Sequence, residues 1–298
     1  MSKFLPGLIF FAAVTTLFAQ PKRQIVVDPR DGTQRVSLHV SAKTGNYFIR
    51  PVHSQDILRV YSNQGPFASP YFLEESVLGD LHNLSLELSG LTGRGITRTI
   101  SDQVLGSTDD PEENERYWKI YLTDEKPYRL DLDYALGNAD IDLSGLSVER
   151  LHLISGSSDV RLGFNHSVNK VEMDTFLVKV DLGSLEVSHL PAARSRFVMA
   201  EVGFGKLELD FSDRPRNRYE VHGSVGAGTL IIDMPPDDIP VIVNIADSWL
   251  CTVEVPRTYH RISENSYGNK SYTPNSAGPL VFNLDVAMGS ILLRQRER

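Results

Sequence analysis

The feature that most constrains this chain is a step of five residues recurring in an otherwise alternating sequence. In YEVHGSVGAGTLIIDMP, residues 219–235, apolar side chains alternate up to Val225 and resume at Leu230. An unbroken strand alternates strictly between two faces, so an odd interval moves the next apolar residue to the other face. The chain must turn at GAGT if its apolar side is to keep facing one interior. The same step separates Ala42 from Tyr47, Leu136 from Ile141, Ser155 from Val160, Val180 from Leu185, Val202 from Leu207 and Val286 from Ile291. A weaker copy separates Ala246 from Cys251. The expected corners carry Gly137, Gly156, Gly183, Gly203, Gly205, Gly226, Gly228 and Gly289. Glycine suits such a corner because it accepts positive φ without a Cβ clash.

Gly203-Phe-Gly205 and Gly226-Ala-Gly228 could also be read as phosphate-binding loops. Such a loop joins a strand to a helix and normally holds a third glycine. Here strand-like alternation resumes at once, so both are read as corners.

The first apolar residues after the mid-chain corners are 141, 160, 185, 207, 230 and 251, spaced 19 to 25 residues apart. A fixed period of this size is the signature of a repeat architecture. The expected fold class is all-β: a right-handed, single-stranded parallel β-helix (β-solenoid) with about 22 residues per turn. One turn alone would leave half its backbone groups unpaired, whereas stacked turns about 4.8 Å apart share a continuous core. A sandwich or barrel of hairpins also has short strands and frequent turns, but does not call for one corner per period. Residues 1–19 are expected to be a signal peptide, 20–32 an N-terminal extension and 33–298 the β-solenoid domain. Within that domain, 33–125 is less regular, and 126–298 holds regular repeats with an insertion at 257–278. The arginine-rich tail RQRER, residues 294–298, is read as a charged guard on an exposed strand edge.

The opening MSKFLPGLIFFAAVTTLFAQ has an early lysine, an apolar run and a small residue before Gln20, the pattern of an export signal cut after Ala19. The run is too short to span a bilayer. The mature chain is therefore expected to be exported, to the periplasm or the cell exterior, with no transmembrane anchor. Cys251 is the only cysteine, so no internal disulfide is available and stability must come from the core. Cys251 itself reads as a buried structural thiol in the strand-like LCTVEV. A formal net charge of −8 argues against nucleic acid as a partner, because phosphate neutralisation needs a basic face.

The segments LDLDYALGNADIDLSGLSVERLHLISGSSDVRLGF (130–164) and FNLDVAMGSILLR (282–294) resemble the toast-rack proteins. These are related to the LiaF-type cell-wall-active antibiotic response domains and the putative-adhesin β-solenoid families. The resemblance runs from about residue 33 to the C-terminus. It implies a right-handed parallel β-helix, no known catalytic residue, no cofactor and a place in or near the bacterial envelope. Some relatives are membrane-anchored regulators of cell-wall stress; this chain differs in its cleavable signal and lack of membrane segments. The expected function is thus a non-enzymatic exported envelope protein, adhesin-like or scaffolding, presenting loops to protein or glycan. An envelope-stress regulator and a β-helix carbohydrate-active enzyme remain the alternatives.

Loops on a rigid scaffold commonly carry recognition. The candidate ligand contacts are Tyr259, His260, Arg261, Tyr267 and Tyr272 of the 257–278 insertion, among Asn265, Asn269 and Asn275. Phe67, Tyr71 and Phe72 are expected to seal a side of the coil, and DDPEENER (109–116) to be a solvated acidic loop. Asp140, Asp142 and Asp159 lie beside corner glycines, as in calcium-binding repeats. The period here is too long for those repeats, and the matching later positions are Ser184, Lys206 and Thr229, so a solvated face is expected. The eight histidines show neither H-x-H nor H-E-x-x-H spacing, and no G-x-S-x-G elbow occurs. No catalytic, metal or cofactor residue is expected.

Overall fold

The computed structural model describes residues 23–63, 71–88, 117–246, 248–276 and 278–295. The expected signal peptide, Phe67 and the run 109–116 lie outside the described residues.

Alternating burial follows the sequence alternation and yields strands almost everywhere, joined in one long mixed β-sheet that does not close on itself. Its middle is parallel. Strands β7 (Pro127–Asp142) and β8 (Ser147–Gly163) each run straight through a corner. Beyond them, each rung is a pair of strands on either side of a corner: β9 (Met173–Val180) with β10 (Ser184–Ser188), then β11 (Ser195–Val202) with β12 (Lys206–Asp210), then β13 (Glu220–Val225) with β14 (Thr229–Asp233). Ala139, Val160, Leu185, Leu207 and Leu230 are direct register partners, so successive rungs are 21, 25, 22 and 23 residues apart. Val225 and Leu230 are both buried, as the step of five requires. The 137 corner lies two residues earlier than its sequence spacing suggests: Tyr134 and Ala139 point inward, and Leu136 is exposed.

The corner glycines answer to space rather than to φ. Of those expected, only Gly137 has positive φ (113°). A Cβ on Gly183, Gly205, Gly228 or Gly289 would stand 2.0, 2.3, 2.3 or 2.2 Å from the carbonyl oxygen of the rung beneath. These glycines form a column in which each backbone sits directly on the last.

Both ends of the stack depart from sequence order. Strand β2 (Arg35–Val52) pairs with β7 on its inner side and with β5 (Leu81–Leu88) and β6 (Tyr117–Thr123) on its outer side. At the far end, β19 (Leu280–Val286) and β20 (Ser290–Arg294) lie between β13/β14 and the earlier strands β15 (Val241–Ala246) and β16 (Thr252–Glu254). The expected succession of regular repeats over 126–298 is therefore broken at its last two rungs, and both outermost rungs are excursions of the chain. The slot opposite Ile291 holds Val253, not Cys251; Cys251 is half-buried outside any strand and donates its thiol to Ser248 O at 3.0 Å. Of the tail 294–298 read as an edge guard, residues 296–298 lie outside the described residues, and Arg294 does not sit at an edge. It lies on an inner strand and pairs with Glu208 and with buried Asp233 at 2.5 and 3.1 Å.

Antiparallel strands lie on the outermost rungs, β16 excepted. Strand β4 (Tyr71–Leu78) lies on β5; β3 (Leu58–Ser62) lies on β6, and β1 (Arg23–Val27) on β3. At the other end β18 (Ser266–Gly268) lies on β15, and β17 (His260–Ser263) on β18. Residues 23–27, expected in an extension, thus complete the sheet. Inside, one apolar cluster runs from Ile25 to Leu293.

Buried asparagines tie the return segments. Asn169 accepts from Val148 N at 2.8 Å and donates to the Val148, Val171 and Ala193 carbonyls. Asn269 accepts from Val241 N at 3.1 Å and donates to Ile239 O at 2.6 Å. Each side chain satisfies backbone groups that have no strand partner at a bend.

Candidate functional site

Outward-facing positions fall into register across β11, β13, β19 and β15. One row reads Phe197, Glu220, Val281, Ile242; the next Met199, His222, Asn283, Asn244; the third Glu201, Ser224, Asp285, Ala246. The β17–β18 hairpin rises beside β15 and adds Asn265 and Ser266 as a wall. The second and third rows are the floor, and with the wall they enclose an open groove of about 610 Å³, within the roughly 300–1,000 Å³ of ordinary ligand pockets; the first row lies outside its lining.

A hydrogen-bond chain fixes the floor. Ser266 Oγ donates to Asn244 Oδ1 at 2.8 Å, Asn244 Nδ2 to Asn283 Oδ1 at 2.9 Å, and Asn283 Nδ2 to Glu220 Oε1 at 2.9 Å. His222 Nε2 lies 2.9 Å from the same Glu220 oxygen. Each amide retains a second N–H. The lining includes Glu201 and Asp285 and no lysine or arginine. Beyond the third row the strands reach the corner, where Phe204, Met288, Leu250 and Trp249 are exposed, Trp249 at 90%.

The expected contact residues mostly face elsewhere. Tyr259 is buried in the core, and desolvation pushes its phenol well above the usual tyrosine range. Tyr267 packs partly on the core, and the Arg261 guanidinium lies 5.9 Å from its ring centroid. Tyr272 is half-buried against Gly268. His260 and Arg261 are exposed on β17. The insertion is thus a hairpin that covers the β15 edge and lends the groove its tip. Tyr71 meets Trp118 edge-on with centroids 6.4 Å apart, while Phe72 stays exposed. The aspartates beside the corners are engaged by protein groups: Asp140 by Arg50 at 3.0 Å, Asp142 by Ser144 N at 2.9 Å and Asp159 by Ser184 Oγ at 2.5 Å.

Spacing rules overlooked one titratable cluster. His53 Nδ1 lies 2.9 Å from Asp124 and 3.5 Å from Glu125. Hydrogen bonds from Lys170, at 2.9 Å, and from His53 hold the Asp124 carboxyl below the usual carboxylate range, and Asp124 in turn raises the imidazole. Lys170 already supplies the positive charge there. Among the described residues no helix is long and apolar enough to cross a membrane.

No protein-family profile matches the chain, and no curated protein matches it. Among the solved structures similar to it, two match over 92% of its length. One is a putative cell adhesion protein from Clostridium sporogenes, 17% identical, 99% covered, with a TM-score of 0.40. The other is a putative adhesin from Bacteroides fragilis, 11% identical, 96% covered, with a TM-score of 0.34.

Proposed function

We propose that the chain is an exported, non-catalytic binding protein of the bacterial envelope, adhesin-like in role, and that the groove beneath the β17–β18 hairpin is its ligand site. In this reading the parallel rungs are turns of a right-handed β-helix of about 22 residues, as the resemblance to toast-rack and putative-adhesin proteins implies. The carrying observation is the floor of Asn244, Asn283 and His222, hydrogen-bonded together and anchored from outside the groove by Glu220, an ordered polar surface on a rigid scaffold. Such preorganisation serves recognition because little side-chain freedom is lost on binding.

The non-catalytic part rests on direction. Glu201 and Asp285 stand two rungs apart in one row of one sheet face, so they rise side by side. Glycoside hydrolysis needs two carboxyl groups flanking the scissile bond. The test is retention of isolated cell-wall and surface glycans and proteins on the immobilised protein, with wild type compared to Asn283→Ala. Retention that drops in the variant, with retained material recovered intact, is expected. New reducing ends would overturn the non-catalytic reading, and equal retention by the variant would overturn the site.

A further inference from the structure

The groove's chemistry narrows what it can hold. We infer that its occupant is a non-anionic oligosaccharide, neutral or amino-bearing, lying along the stack with its hydroxyl edges on the asparagine row and its apolar ring faces against the corner. This rests on the groove being the ligand site.

Three observations carry it. First, the floor offers both donors and acceptors in fixed positions: the second N–H groups of Asn244 and Asn283 beside the carboxylates of Glu201 and Asp285. Hydroxyl groups, each both donor and acceptor, match such a mixture. With two carboxylates and no lysine or arginine in the lining, a uronate or phosphate would meet repulsion, whereas an ammonium group would meet a partner. Second, the floor has no free strand edge. β11, β13, β19 and β15 are each paired on both sides. An extended peptide recognised by strand addition has no main-chain groups to pair with. Third, exposed apolar side chains follow the third row at the corner, just outside the groove's lining. Phe204, Met288 and Trp249 each come three residues after a third-row residue, Glu201, Asp285 and Ala246. Four rungs at strand spacing give a trough about 14 Å long, with exposed apolar side chains at the corner beyond its third row. A pyranose chain has the same two-sidedness.

The two tryptophans supply a reporter, because Trp249 is 90% exposed and Trp118 is 1% exposed. Acrylamide quenching of emission therefore follows Trp249. The experiment titrates the purified protein with tetramers of N-acetylglucosamine, glucosamine and galacturonic acid, reading quenching and calorimetric Kd. The first two are expected to bind and shield Trp249, and the third is not. Glu201→Gln with Asp285→Asn should weaken the glucosamine tetramer about tenfold and leave the N-acetylated one within about twofold. Glu201→Gln alone serves as the second variant should the double variant melt early. Equal affinity for galacturonate, no binding by any tetramer, or unchanged glucosamine affinity in the variants would overturn the inference. None of these would touch the binding-protein reading, which the retention experiment decides independently.

Discussion

At the residue scale the glycine column is the most demanding feature. The backbone of each rung rests on the carbonyl of the one below, and a methyl group has no room. Gly228→Ala places a Cβ 2.3 Å from Gly205 O and 2.6 Å from the Val202 side chain, whereas Gly226→Ala meets Gly203 O at 3.1 Å. Urea unfolding should show Gly228→Ala destabilised by about 1–3 kcal/mol and Gly226→Ala clearly less. The reverse order would mean that backbone conformation, not contact, selects these glycines. Alternation and the step of five made the column visible in the sequence, yet its cause was not. A glycine needed for positive φ and one needed for close approach are the same letter, and only the neighbouring rung distinguishes them. The shift at Gly137 has a similar origin: Leu136 is apolar and in phase, but it belongs to the exposed corner.

At the element scale the informative part is the hairpin. Its aromatic content suggested a displayed loop, but Tyr259 and Tyr267 are spent on covering β15. What the hairpin gives the site is small and polar, Asn265 and Ser266, and nothing in a single sequence distinguishes these from ordinary turn residues. Asn244 and Asn283 were equally hidden. They are 39 residues apart and become neighbours only because β19 inserts beside β15. An exposed strand edge is a template for further pairing. Replacing residues 260–268 by a short glycine–serine linker should therefore free the β15 edge and produce concentration-dependent self-association in light scattering. A variant that remains the size of wild type at every concentration would show that the hairpin is dispensable as an edge cover.

At the scale of the whole molecule, the order of rungs governs how the protein tolerates loss. In a simple repeat array each unit contacts only its neighbours, so removing the last one shortens the stack and leaves the remainder folded. Here residues 280–294 sit between two older rungs. Truncation before Leu280 should abolish the cooperative thermal transition instead of lowering it by a few degrees. Circular dichroism of the truncated chain checks this, and a folded, sharply melting product would contradict the inserted arrangement. The strands, the corners and the shared interior were readable in advance, because each is a local pattern. The exchange of rung order at both ends was not, because equivalent strands have equivalent patterns and the sequence does not say which neighbour a given rung chooses.

That inserted final rung also bears on timing. Domains ordinarily begin to fold from the N-terminus while synthesis continues. In this chain a gap must stay open between two rungs, or reopen, until residues 280–294 arrive to fill it. This late-made segment is the keystone, so a nascent chain stays unlocked and pliable until residues 280–294 are in hand.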